Sequence, residues 1–70
     1  MRNEEAIHVE AVIEQRLGDG LFGARLLNGH QVIAHCRSWE REMSAGLKDG
    51  DTVRLEMSPF DMSKGRVLFL

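Results

Sequence analysis

The chain reads as all-β: a small five-stranded Greek-key barrel with one short helix between strands 3 and 4. Three observations predict it. Turn-forming glycine segments recur at short intervals. The stretches between them alternate apolar and polar residues. One stretch alone has helical spacing. Seventy residues leave room for a single domain, residues 1–70.

In the first strand Ile7, Val9, Ala11 and Ile13 alternate with His8, Glu10 and Val12. Gly18-Asp19-Gly20 follows as a turn. In the second, Phe22, Ala24 and Leu26 alternate with Gly23, Arg25 and Leu27. Asn28-Gly29 then predicts a tight hairpin of type I′, which needs positive φ at both central residues. In the third, Val32, Ala34 and Cys36 alternate with Gln31, Ile33 and His35. Trp39, Met43 and Leu47 next recur every four residues, the spacing of a helix of about two turns. Ser38 is placed to cap its start, Glu40 lies in its first turn, and Gly46 is placed to end it. Asp49-Gly50 leads into the fourth strand, where Val53, Leu55 and Met57 alternate with Thr52, Arg54 and Glu56. Ser63-Lys64-Gly65 precedes the fifth, Arg66 to Phe69. Five strands with a helix after the third is the order of an OB-fold. An SH3-like barrel is the runner-up, and the helix placement favours the OB-fold. The expected binding surface is the face of strands 2 and 3 with the loops at residues 15–20 and 58–65.

Composition narrows the function. The chain is 43% hydrophobic and 29% charged, too apolar for a disordered segment. No apolar run approaches the ~18 residues of a membrane span, and the polar start reads as no signal peptide. A lone Cys36 closes no internal disulfide, which fits a reducing, cytoplasmic setting. A thin core leaves little depth for a closed catalytic pocket, so a binding module is the expectation and an enzyme is not. The net charge of −2 argues against a generally basic nucleic-acid binder. Residues 1–35 carry three basic and five acidic side chains, and residues 36–70 six of each. Any basic surface is therefore local and belongs to the second half.

Leu27-Asn28-Gly29-His30, Ala34-His35, Gly50-Asp51 and the block from Ser58 to Val67 resemble the bacterial translation initiation factor one family. The family form of that block reads Thr-Pro-Tyr-Asp-Leu-Ser-Lys-Gly-Arg-Ile, against Ser-Pro-Phe-Asp-Met-Ser-Lys-Gly-Arg-Val here. The likeness runs from about Ile7 to Phe69 without a gap. It implies a single OB-fold domain of the S1-like RNA-binding type and no enzymatic activity or cofactor. The implied partners are the small ribosomal subunit, bound at the decoding A site through 16S-type rRNA beside a ribosomal protein, and the other initiation factors. A monomer without membrane attachment is implied as well. The helix region departs from the family. Arg41 matches a basic position, but Trp39 stands where lysine is common, Glu42 where a basic residue is common, and Gly46 where arginine is common. The family's tyrosine near Ser44 and its basic C-terminal tail are also missing.

The expected RNA-binding residues are Arg25, His35, Arg37, Trp39, Arg41, Lys64, Gly65 and Arg66. Lys64 and Arg66 read as phosphate contacts at the start of strand five, with Gly65 letting the backbone come close; otherwise they are solvated edge charges. Arg37 and Arg41, four apart, face one side of the helix, or else they balance Glu40 and Glu42. Arg41 lies about 200° round the helix from Trp39. Trp39 is either a stacking platform for a base or a core residue beside Met43 and Leu47; the helical spacing favours packing. His35 shares the outward phase of Gln31 and Ile33. His30 reads as a turn residue, and Cys36 as a small buried hydrophobe. His8, His30, His35 and Cys36 lack metal-ligand spacing. Asp61 and Ser63 brace a turn, and Phe60 is expected over the barrel end. A cold-shock-like RNA barrel is disfavoured, because strands 2 and 3 hold only one aromatic residue, Phe22. A protein-interaction barrel is the remaining alternative, supported by the acidic balance.

Overall fold

The computed structural model describes residues 6–69; Met1 to Glu5 and Leu70 lie outside the described residues. Five strands form a closed barrel in the order β1-β2-β3-β5-β4. They are β1 (Ile7–Gly18), β2 (Leu21–Leu26), β3 (Gln31–His35), β4 (Thr52–Ser58) and β5 (Asp61–Leu68). A 3-10 turn (Ser38–Glu40) and a single-turn helix, α1 (Arg41–Ala45), join β3 to β4. This is the OB-fold that the sequence predicts.

The inward phase of each strand matches the apolar phase of the sequence. Ala11, Ile13, Phe22, Ala24, Val32, Ala34, Leu55, Met57 and Val67 are all buried. Phe22 is the largest of them, and burying such a side chain contributes about 1.5–3 kcal/mol. Three alanines in the core let the strands curve into a narrow barrel.

β1 is longer than expected and serves both halves of the barrel. Its first half pairs antiparallel with β4, from Ile7 opposite Met57 to Val12 opposite Thr52. Its second half pairs with β2, from Ala11 opposite Leu26 to Gly18 opposite Leu21. Two register shifts, between Ile13 and Gln15 and between Arg16 and Gly18, bend it round the core. The alternation in the sequence breaks at these bulges, which is why the strand reads as ending at Ile13. The β1–β2 loop is consequently only Asp19-Gly20 rather than residues 15–20. β5 likewise starts at Asp61, so the β4–β5 connection shrinks to Pro59-Phe60. Lys64, Gly65 and Arg66 therefore lie in mid-strand, not in a loop or at a strand start. Phe60 is 83% exposed and covers no barrel end.

The hairpin between β2 and β3 forms where Asn28-Gly29 places it, but its turn type differs. Gly29 has φ +90, and no residue other than glycine has positive φ among the described residues. The Gly29 N–H donates to the Leu26 carbonyl at 2.9 Å, and the Leu26 N–H to the His30 carbonyl at 2.8 Å. This is a three-residue loop with glycine alone in the left-handed position. Asn28 contributes its side chain instead: Oδ1 accepts the His30 N–H at 2.9 Å.

The barrel closes where β3 and β5 run parallel, with Ile33 opposite Lys64, Ala34 opposite Gly65 and His35 opposite Arg66. A Cβ on Gly65 would lie 2.8 Å from Met57 Cγ and 3.2 Å from Leu55 Cβ. The position has no room for a side chain because β4 packs directly behind it. Gly65→Ala is expected to destabilise the barrel by about 1–3 kcal/mol through overpacking. Urea unfolding of the two proteins measures this, and equal midpoints would refute the tight closure.

Candidate nucleic-acid interface

The β3–β5 register brings four of the expected residues together. His35, Lys64 and Arg66 line an open groove of about 330 Å³ together with Glu56, Ser58 and Asp61. Lys64 is exposed, whereas His35 and Arg66 are half-buried. The Arg66 guanidinium donates to Glu56 Oε1, so its charge is already matched by a carboxylate. His8 Nε2 stands 3.9 Å from the same carboxylate. Gly65 is buried in the floor of the groove, and packing against β4 accounts for its lack of a side chain.

Asp61 is held as a turn brace. Its Oδ1 accepts the Ser63 N–H at 3.1 Å and the Ser63 hydroxyl at 2.5 Å. These bonds hold its carboxyl below the usual carboxylate range. Glu56 and Asp61 thus offset much of the positive charge in this groove, and Lys64 is its one cation without an ion pair among the described residues.

The chain leaves β3 at His35 and enters the second group directly. Arg37, Ser38, Arg41 and Ser44 line a groove of about 220 Å³ with Asp19, Gly20 and Cys36. Arg37 and Arg41 are exposed and share this groove, as their spacing predicts. The Arg37 guanidinium carbon lies 5.1 Å from the centroid of the Trp39 ring. Burial pushes the Cys36 thiol up, with the charge of Glu40 adding to it, which fits an unreactive half-buried side chain.

Trp39 does not pack in the core. It is 72% exposed and Met43 48%, and only Leu47 of the expected stripe packs against the barrel. Glu40 and Ser44 are the buried pair of this segment. Both are satisfied locally: Glu40 Oε1 accepts the Arg37 N–H at 2.9 Å, and the Ser44 hydroxyl donates to the Arg41 carbonyl at 2.9 Å. Glu40, not Ser38, therefore caps the start. Polar residues spaced four apart can turn inward when each carries its own hydrogen bond, and that leaves the apolar residues outside.

Arg16 holds this segment to the barrel, a role the sequence does not signal. Its guanidinium donates to the carbonyls of Ser44 at 3.1 Å, Ala45 at 3.5 Å and Leu47 at 3.3 Å. It also sits 4.7 Å from the centroid of the Phe22 ring. A cation at the last carbonyls of a helix satisfies acceptors that have no partner within the helix. Arg16 lies between the two register shifts of β1.

Arg25 lies apart from both grooves. Its Nε donates to Glu14 Oε2 at 2.5 Å, and its Nη1 to the Gly29 carbonyl at 3.0 Å. Gln31 donates to the other Glu14 oxygen at 3.1 Å. The Arg25 hydrogen bond, then the Gln31 one, holds the Glu14 carboxyl below its ordinary value. Arg25 is thus a hairpin brace. His30 has a similar role, with Nε2 3.0 Å from the Met62 carbonyl on β5.

Arg16→Ala removes three hydrogen bonds and is expected to lower stability by about 1–2 kcal/mol in urea unfolding; an unchanged midpoint would remove Arg16 as the tether. The Glu14 pair carries a pH signature. Its folded-state pKa is depressed, so its stabilisation is complete above the ordinary value near 4.5 and is lost as pH falls through the lowered one. Glu14→Gln should lower Tm at neutral pH, and the gap to wild type should close in acid. A gap constant with pH would contradict the pairing.

Comparison with known proteins adds a relative. No family model matches the sequence. Among solved structures, the chain is similar to translation initiation factor one from the Wolbachia endosymbiont strain TRS of Brugia malayi, solved in solution. The two share 28% identity with a TM-score of 0.73, and the alignment covers 99% of this chain and 82% of the other. The strand order, the helix placement and the nearly complete coverage make the chain similar in fold to initiation factor one.

Proposed function

We propose that the chain is a translation initiation factor that binds the small ribosomal subunit at the decoding A site through ribosomal RNA. It assists the other initiation factors there and catalyses no reaction. The observation that carries this reading is the match to initiation factor one along 99% of the chain. The grooves support it. Lys64, Arg37 and Arg41 are exposed cations without an ion pair among the described residues, and they belong to two groups joined through His35. Recognition rests on RNA shape and phosphate charge rather than on a sequence code.

The count of free cations sets the expected strength. Arg25 and Arg66 are engaged by Glu14 and Glu56, so three cations remain of those expected to meet phosphate. Three contacts to single-stranded RNA give a slope of about −2 in log affinity against log salt. This is modest for a nucleic-acid binder and fits the net charge of −2. The same acidic balance supports the second reading, a divergent paralogue acting as a protein-interaction or general RNA-binding barrel.

Titration with isolated small subunits at several salt concentrations separates these readings. Co-sedimentation with the subunits reads the binding, because the aromatic residues of the subunit's own proteins mask the emission of the single Trp39. Saturable binding with a slope near −2 is expected. Arg41→Glu with Lys64→Glu should weaken it at least ~10-fold and flatten the slope, with Tm unchanged. Binding that ignores salt would favour a protein partner, and equal affinity for the double variant would remove these residues from the interface.

A further inference from the structure

We propose that Arg37 and Trp39 form a stacking platform for one unpaired RNA base, with Arg41 beside it for the adjoining phosphate. The inference deepens the RNA-binding reading above and rests on it. Trp39 is the largest side chain of the molecule, yet it lies 72% exposed outside the core. An indole in water forgoes the burial that drives large aromatic residues inside. Here its orientation is nonetheless set. The Arg37 guanidinium lies over one ring face, 5.1 Å from the centroid. The Arg37 backbone is fixed in turn by Glu40, through its own N–H and its carbonyl, each at 2.9 Å. Glu40 is buried, and its carboxylate serves as this cap.

The result is a flat aromatic surface with one face backed by a guanidinium and most of its area in solvent. Arg41 adds a second exposed cation in the groove shared with Arg37. A base offers a π face to the ring and a phosphate to the arginines, and an apolar protein segment matches only the ring. Charge complementarity therefore selects RNA. Glu42 stands on the helix rather than in that groove, and Asp19 is the one exposed acid among its lining residues, against two arginines. The sheet face of β2 and β3, the more usual place for stacked bases, has no outward aromatic residue: Leu21, Gly23, Arg25, Gln31, Ile33 and His35 occupy it. The stacking role falls to the segment after β3.

Three proteins test it: wild type, Trp39→Phe and Trp39→Leu. The exposure of Trp39 means that all three should share one Tm. Against small subunits, Trp39→Phe should stay within ~3-fold of wild type. Trp39→Leu should lose about 5- to 150-fold, the range for removing one base–aromatic stack. Equal affinity of the phenylalanine and leucine variants would overturn the stack and indicate an apolar protein contact. A second probe is independent of the ribosome: a short single-stranded oligoadenylate and its abasic counterpart at low salt. The one indole N–H resonance should shift upfield with the first and not with the second. That result without subunit binding would leave the platform standing and remove the ribosomal assignment. Equal shifts with both oligomers, or none, would overturn the platform.

Discussion

The parallel contact between β3 and β5 is the constraint on which the rest of the molecule depends. Every other strand pair in the barrel is antiparallel. The parallel pair is short, from Ile33 opposite Lys64 to His35 opposite Arg66, and it turns an open sheet into a closed one. It forms only because β5 can approach β4 and β3 together, and Gly65 permits this by having no side chain to set against Met57 and Leu55. The same register fixes what faces outward. Lys64 and Arg66 flank the glycine on the solvent side, and His35 ends β3 beside them. Closure and the candidate interface are one geometric fact.

Charge is distributed so that structure and binding draw on different arginines. Arg25 braces the hairpin with Glu14, Arg66 pairs with Glu56 across β4 and β5, and Arg16 ties down the segment after β3. Those partly exposed pairs add little to stability individually, but the Arg66–Glu56 pair fixes side chains that border a groove. Arg37, Arg41 and Lys64 are left facing solvent. An acidic chain thereby carries a local cationic surface without a net positive charge.

Much of the fold was legible because the barrel obeys the simplest rule of strands. Alternation identified the inward phase of all five, including the core positions Ala11, Phe22, Ala34, Leu55 and Val67. The hairpin site was legible from Asn28-Gly29, but not its type, since the same pair serves a two-residue or a three-residue loop. The bulges in β1 hid its second half, because an inserted residue breaks the period that reveals a strand. The stripe of Trp39, Met43 and Leu47 misled for a different reason. Over one or two turns, four-residue spacing marks two faces equally well, and local hydrogen bonds to Glu40 and Ser44 decided which one turned inward. The bonds of Arg16 and the pairing of Arg66 with Glu56 depend on registers between distant segments, so no local pattern announces them. Of the candidate site, residue types and approximate grouping were readable, and the neutralising partners were not.

The segment after β3 has few anchors: Glu40 and Ser44 turned inward, Leu47 against the core, and the Arg16 guanidinium on its last carbonyls. Leu47, only partly buried, is the one apolar side chain that pins it among those anchors. Elements attached in this way open at a lower free energy than the sheet they rest on. The only tryptophan sits on this element, and there is no tyrosine. Intrinsic fluorescence therefore reports on the state of an appendage, while far-ultraviolet dichroism reports on the strands. Agreement between those two signals during unfolding would measure how tightly the appendage is coupled to the barrel, not whether the barrel itself melts in one step.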